Sequence, residues 1–177
     1  LQDQLSLGQT FGLKRQDDDY YALLLGLQVL SAGFYASRLY QDLREKSGLV
    51  YSIGAQLQSG KNRSVFAVSF ACDPPNVAKA RALVERNLRA MQTKPVTTTE
   101  LEQAKILLLR GIPLSESSIQ GIAGGLLDRS TRDLPLDEPS SAAKRYAAFS
   151  AADVQAAFAK WLKVEDLAQV VLGPDPK

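Results

Sequence analysis

The sequence predicts an α+β fold with two layers, in which helices pack on one face of a mainly antiparallel sheet. Two alternating runs over residues 51–57 and 65–70 flank Gly60-Lys61-Asn62 and indicate a β-hairpin. Five segments with helical signals then follow without an intervening strand. Short strands are predicted near both ends of the chain, so strands and helices are segregated rather than alternating.

The first third of the chain is predicted to form a strand and two helices. Alternation over residues 5–11 indicates the strand. Three aspartates at 17–19 suit a helix N-terminus, where carboxylates interact with free N–H groups and the positive end of the helix dipole. The helix over 20–30 is apolar nearly all round, so we expect it to be deeply buried. Ser31-Ala32-Gly33 ends it, and residues 37–46 form a second, amphipathic helix.

After the hairpin, the next two helices have clear boundaries. Asp73-Pro74-Pro75 ends the second hairpin strand, and apolar residues then recur at helical spacing over 77–91. Pro95 breaks that helix. Thr97 and Glu100 form a capping box for the next one, which we expect to end at Pro113.

The last three helices and the final strand follow. The helix over 115–130 contains three glycines that predict close helix contact: Gly121, Gly124 and Gly125. A short helix is predicted over 140–149, and Ser150 with Asp153 begins another. Residues 170–172 supply the last strand, which completes the order β-α-α-β-β-α-α-α-α-α-β.

Composition limits the classes of protein and site. A chain of 177 residues that is 45% hydrophobic can bury one good core, and we expect a single domain over residues 1–177. The 21 basic and 19 acidic residues are scattered, which argues against nucleic-acid binding. No apolar run approaches the roughly 20 residues that span a bilayer. Cys72 is the only cysteine, so no internal disulfide can form, and we expect it to end a strand. Because the chain starts at Leu1 without methionine, we expect a longer parent protein.

The sequence contains no histidine. This excludes histidine-based zinc sites and a serine triad with an imidazole base. One cysteine cannot form a cysteine-rich zinc site, and nothing resembles a phosphate-binding or dinucleotide-binding glycine motif. We therefore expect a site that binds rather than one that completes a reaction.

The segment 37–52 joins a basic helix to a strand through Gly48 and places Arg44 and Tyr51 near one junction. A guanidinium and a phenol can bind a peptide carbonyl, but neither is a zinc ligand or a good general base near neutral pH. Arg38, Tyr40 and Lys46 are interpreted as surface or helix-packing residues.

Simpler interpretations of the two candidate residues remain open at this point. Arg44 could be a solvated helix residue paired with a neighbouring carboxylate such as Asp42 or Glu45. Strict alternation places Tyr51 on the same apolar face as Ile53 and Leu57, where a core tyrosine is expected.

The segment 37–52 matches S-R-L-x-x-x-L-R-E-K-x-G-L-x-Y-S and resembles the C-terminal, non-catalytic domain of the pitrilysin, or insulinase-like, zinc metallopeptidases. Relatives of that family include the subunits of the mitochondrial processing peptidase. Weaker similarity continues at 96–105, 115–117, 150–154 and 170–174, so the resemblance extends over nearly the whole chain. It implies the α+β fold of mitochondrial-processing-peptidase-like metallohydrolases.

The resemblance also implies a function. Arg44 and Tyr51 match an arginine and a tyrosine that face the zinc centre of the other half across a closed chamber, where they position substrate and support the transition state. Zinc is then expected in a partner, fused or separate, with an H-x-x-E-H motif and a distal glutamate. This chain is expected to hold no metal or other cofactor and to be inactive in isolation.

The implied partners are that zinc-bearing domain or subunit, in a homo- or heterodimer, and a peptide or unfolded polypeptide substrate. The compartment stays open, with a bacterial periplasmic or membrane-associated setting favoured by the family and the cytoplasm as the alternative. Two other functions also remain. The chain could be a structural subunit for assembly, or a stand-alone peptide-binding module.

Overall fold

The computed structural model describes residues 2–32 and 36–173, and its centre is a four-stranded antiparallel sheet. The strands are β1 (Asp3–Phe11), β2 (Val50–Ser59), β3 (Ser64–Cys72) and β4 (Ala168–Leu172). They lie in the order β2-β3-β1-β4. The predicted hairpin is confirmed as β2 and β3, while β1 pairs with β3 on one side and with β4 on the other.

Within residues 2–32 and 36–173, seven α-helices complete the α+β fold, in the predicted order along the chain. They are α1 (Asp18–Leu27), α2 (Arg38–Tyr40), α3 (Val77–Thr93), α4 (Thr98–Ser115), α5 (Ile119–Thr131), α6 (Glu138–Ala148) and α7 (Ala151–Trp161). The predicted capping boxes begin α4 at Thr97 and α7 at Ser150.

The hydrophobic core lies between the helices and one face of the sheet. Alternate residues of the strands point into it, and α1 and α7 pack closely together within it. The strand side of the core comprises Leu5, Leu7, Phe11, Phe66, Val68 and Phe70, all buried. Cys72 ends β3 and is buried, as predicted.

The second face of the sheet carries mostly small and polar side chains, with exposed aliphatic side chains at Val65, Val170 and Leu172. Its exposed members include Gln4, Thr10, Gln56, Gln58 and Ser69. Because residues of a strand alternate between faces, the pattern that fills the core also leaves this largely polar face open in the described part of the chain.

Two helices continue into π-helical segments, which the sequence did not predict. Gln28–Ala32 follows α1, and Gln41–Glu45 follows α2. The helix predicted over 37–46 is therefore three residues of α-helix followed by a wider turn, in which the Lys46 N–H donates to the Gln41 carbonyl at 2.9 Å. Gly33, predicted to end the first helix, lies outside the described residues.

The boundaries of α4 and α5 differ from the prediction. Pro113 lies inside α4, which continues to Ser115. The proline has no N–H to donate to the preceding turn, and the helix ends two residues later. Helix α5 begins after Ser118, whose hydroxyl accepts from the Gly121 N–H.

The expected close helix contact holds for one of the three glycines. Gly121 lies against the Ser115 carbonyl, whereas Gly124 faces open space and Gly125 lies beside Arg129 of its own helix. No helix within residues 2–32 and 36–173 is both long and apolar enough to cross a bilayer.

Candidate functional site

A tight turn at Gly48 places Arg44 beside the sheet. Gly48 has φ 59°, a left-handed conformation that glycine adopts without steric cost. Its N–H donates to the Arg44 carbonyl at 3.0 Å, and the Leu49 N–H donates to the Leu43 carbonyl at 2.9 Å. These bonds close the end of the π-helical segment, so the chain turns directly from Arg44 into β2.

A β-bulge at the start of β2 turns Tyr51 outward. Val50 pairs with Cys72 and Ile53 pairs with Phe70, so three steps along β2 oppose two along β3. The extra residue shifts the alternation, and the Tyr51 side chain is 72% exposed. The interpretation of Tyr51 as a core residue alongside Ile53 is therefore wrong.

The guanidinium of Arg44 lies between two phenol rings. Its Cζ is 5.1 Å from the ring centroid of Tyr40 and 4.9 Å from that of Tyr51. Both distances are within the range of cation–π interactions. Tyr40 is buried, so it supports the guanidinium from the core side, while Tyr51 covers it from the solvent side. The expected proximity of Arg44 and Tyr51 is observed.

These side chains border an open cavity of about 430 Å³. Its lining residues come from β2, from the end of α2 and from the two π-helical segments. The lining residues are Ser31, Ala32, Tyr40, Arg44, Tyr51, Ser52, Ile53 and Ala55. Ser31 links the first π-helical segment to β2, because its Oγ accepts a 2.7 Å hydrogen bond from the Ala55 N–H.

The neighbouring carboxylate of Asp42 is occupied by other groups. It accepts from Lys46 at 3.0 Å, from Arg86 at 2.8 Å and from Asn87 at 3.0 Å. Partial burial acts to raise the pKa of Asp42, but these hydrogen bonds outweigh it and hold the pKa below its usual value. Among the described residues Arg44 has no ion pair with a carboxylate, so the interpretation of Arg44 as a partner of Asp42 or Glu45 is wrong.

Arg38 serves packing next to this site, as interpreted from the sequence. Its Nε and Nη2 each donate to a carboxylate oxygen of Glu100 at 2.7 Å. Glu100 also closes the capping box with Thr97, so one carboxylate joins α2 to the start of α4.

Glu100→Gln is expected to lower the free energy of unfolding at pH 7 by roughly 1–2 kcal/mol, since charge-assisted bonds are lost but solvent screens the pair. Hydrogen bonds from Arg38, then from Thr97, lower the pKa of Glu100 to about 2. In the unfolded chain the pKa of a glutamate carboxyl is about 4.3. The stabilisation is therefore complete above that pH and disappears as the pH falls towards 2.

Chemical denaturation of both proteins between pH 2 and 7 measures this difference. The two unfolding free energies should converge at the acid end. Glu102→Gln is the matched control, because Glu102 is exposed on the same helix. A constant difference across the pH range would show that the carboxylate charge of Glu100 is not responsible.

The residues of this chain do not fit a zinc site. The sequence has no histidine, its one cysteine is buried in β3, and no group of three metal-ligating side chains occurs in the described ranges. A guanidinium and a phenol have N–H and O–H groups that can donate to a carbonyl, but these residues cannot hold the metal that the resemblance implies for a partner.

Sequence reasoning missed two residues of the site. Tyr40 was assigned only to packing, although its spacing of four from Arg44 puts both side chains on one helix face. That spacing was the available signal. Ser31 was assigned only to a helix break, and its bond to Ala55 depends on a π-helical turn that has no clear sequence signal.

An α+β fold without a histidine, with an arginine and a tyrosine at the mouth of a cavity, agrees with what the resemblance to non-catalytic metallopeptidase domains predicts. Residues 2–108 match the family model described as the peptidase M16 inactive domain, which is more than half of the chain. The chain belongs to this family of inactive domains from pitrilysin-like zinc proteases. No curated protein sequence matches significantly.

Solved structures share the fold. The peptidase M16 inactive domain from Pseudomonas fluorescens is 28% identical with a TM-score of 0.88, over 99% of this chain and 42% of that one. A protease from Helicobacter pylori is 19% identical with a TM-score of 0.85, over 98% and 41%. The periplasmic protease PqqL from Escherichia coli is 16% identical with a TM-score of 0.79, over 98% and 19%. This chain thus spans less than half the length of each.

Proposed function

We propose that this chain closes one side of a peptidase chamber and positions a peptide substrate for a zinc-bearing partner domain or subunit. The observation that carries the proposal is the convergence of Arg44 and Tyr51 on an open cavity. The outer face of the sheet supports it, because a surface of mostly small and polar side chains with a few aliphatic ones can line a chamber that admits extended peptides of varied sequence. A bacterial periplasmic setting belongs to the proposal, supported by the description of the Escherichia coli protein as periplasmic.

In this proposal Arg44 and Tyr51 act on the scissile carbonyl. A guanidinium held between two rings loses little conformational freedom when it binds, and its N–H groups donate to a carbonyl oxygen. The exposed Tyr51 hydroxyl supplies a second donor. The hydrogen bonds from both donors strengthen as negative charge develops on that oxygen. Fixed donors accelerate acyl-transfer reactions in this way. The water and the metal chemistry belong to the partner.

The proposal is tested by using the 177-residue chain as bait in lysate from its source and by identifying the chains that co-purify. We expect a chain with an H-x-x-E-H motif and peptide hydrolysis in the eluate that a zinc chelator abolishes. A fused partner would appear instead as an H-x-x-E-H segment upstream in the same gene. Absence of both would overturn the proposal.

The isolated chain is expected to bind less than about 0.1 equivalents of zinc and to cleave no peptide, because it lacks the ligands. Metal analysis after dialysis against zinc and a fluorogenic peptide assay measure this. Stoichiometric zinc, or hydrolysis by the chain alone, would contradict the assignment of the metal to a partner. Tight binding of extended peptides by the isolated chain would instead favour a stand-alone peptide-binding module.

A second candidate is a structural subunit that serves assembly without contacting substrate. The observation that favours it is a group of exposed aliphatic side chains on α4 and α5. They are Ile106, Leu107, Leu114, Ile119, Ile122, Leu126 and Leu127. Exposed apolar surface of this kind marks association sites. The two candidates differ in whether substitution of Arg44 changes turnover of the assembled protein.

A further inference from the structure

A second cavity lies between α4, α5 and α6, and none of its described lining residues lines the cavity around Arg44. Its volume is about 440 Å³, within the roughly 300–1,000 Å³ typical of small-molecule sites. Aliphatic side chains line much of it, including Leu107, Leu108, Ile112 and Leu134. Four charged residues also line it: Arg15, Asp128, Arg129 and Glu138.

Three of these four charges have close partners. The Nη2 of Arg15 lies 2.9 Å from Glu138 Oε1, and that oxygen also accepts from the Tyr21 hydroxyl at 2.7 Å. Asp128 lies 2.8 Å from the guanidinium of Arg132. These carboxylates and the Arg15 guanidinium are therefore compensated within the protein.

Arg129 is compensated poorly. The residue is 8% exposed, and its Nη2 is 3.4 Å from Glu116 Oε1, longer than the 2.7–2.9 Å common for charge-assisted bonds. Among buried side-chain nitrogen and oxygen atoms of the described residues, its Nε is the one without a hydrogen-bond partner. Burial of a cation with so little compensation is unfavourable. Gly125 makes room for the group, since a Cβ there would lie 3.2 Å from Arg129 Nη1.

We propose that this cavity binds an apolar monocarboxylate, with its carboxylate on Arg129 and its aliphatic part against the α4 side chains. A carboxylate matches the geometry of the planar guanidinium. Its negative charge compensates the Arg129 cation, which Glu116 compensates only weakly at 3.4 Å. Leu107 and Ile112 offer the apolar contact. This chemistry occurs at the end of a fatty acid and at the C-terminus of a peptide whose last residue is apolar. The proposal is independent of the role of Arg44 and Tyr51.

Titration of octanoate into the 177-residue chain, followed by the methyl NMR signals of Leu107 and Ile112, tests the proposal. We expect saturable shifts and binding at least tenfold tighter than that of octanamide, which has the same chain without the charge. A parallel titration with N-acetyl-leucyl-leucine distinguishes the two sources. Tighter binding of octanoate would identify a fatty acid as the ligand, and tighter binding of the dipeptide would identify a peptide C-terminus. Equal binding of octanoate and octanamide, or no saturable binding of either carboxylate, would overturn the proposal.

Two pairs of variants locate the site. Arg129→Gln is expected to abolish the preference for the carboxylate, whereas Arg110→Gln, on the exposed surface of α4, should retain it. Substitution of a buried arginine can disturb α5. A second pair of variants therefore leaves Arg129 in place and adds a side chain at a glycine inside or outside the cavity. Gly111 lines the cavity, and an added Cβ there meets nothing within 4 Å, as at Gly124 outside the cavity. Gly111→Leu should weaken octanoate binding at least tenfold and Gly124→Leu should not. Unchanged binding by Gly111→Leu would place the ligand elsewhere.

Discussion

Arg44→Ala is expected to lower kcat for peptide hydrolysis by the assembled peptidase about 10²- to 10³-fold, the effect typical of removing one fixed donor to a developing negative charge. Arg44 lies between the rings of Tyr40 and Tyr51 at the cavity mouth, so its loss removes the donor and the support for Tyr51. Steady-state kinetics on a defined peptide measure kcat and KM. Zinc content and subunit assembly, measured on the same sample, should not change.

Tyr51→Phe separates the effect of losing the Tyr51 hydroxyl on turnover from any effect on the fold. The ring remains to cover Arg44, and only the hydroxyl is removed, so the fold should be unaffected while kcat falls at least tenfold. Arg110→Ala is the matched control, because it removes an exposed arginine from α4 and should leave kcat unchanged. Full turnover by both Arg44→Ala and Tyr51→Phe would favour the structural-subunit function.

Gly26→Ala is expected to destabilise the fold by about 3 kcal/mol, which for a chain of this length corresponds to a Tm roughly 6–12 °C lower. Gly26 lies where α1 crosses α7. An added Cβ would overlap the ring of Phe158 and would lie 2.9 Å from Val154 Cγ1. Both neighbours are fully buried, so neither can move without displacing other core residues.

Gly124→Ala should have the opposite effect. Gly124 lies in α5 and an added Cβ meets nothing within 4 Å. The substitution therefore gains only helix propensity, about 0.5–1 kcal/mol. Thermal unfolding of the two variants and the parent protein measures both changes in Tm. If Gly26→Ala unfolded at the same temperature as the parent, the close crossing of α1 and α7 would be incorrect.

The order of elements could be predicted because the local signals agree with the fold. The hairpin follows from alternation on both sides of Gly60-Lys61-Asn62, and two helices begin at capping boxes that the structure confirms. The proximity of Arg44 and Tyr51 follows from the short connection through Gly48. These features depend on residues close together in sequence.

The features that could not be predicted depend on contacts distant in sequence or on one extra residue. Alternation places Tyr51 in the core, but the bulge opposite β3 turns it outward, and no residue type marks that bulge. Gly26 and Gly124 are both helical glycines, and only the packing of α7 distinguishes them. The orientation of the site and the tightest part of the core therefore required the structure.

The pairing of β1 with β4 also affects how the protein is made. Residues 73–167 separate β3 from β4, so at roughly 5–20 residues per second a ribosome needs on the order of 5 to 20 seconds to produce the last strand after the first three. During that interval one edge of β1 carries unpaired N–H and carbonyl groups, which pair readily with strands of other molecules. The β1 edge is therefore open to pairing with other molecules while the last five helices are synthesised, and β4 covers it when it docks.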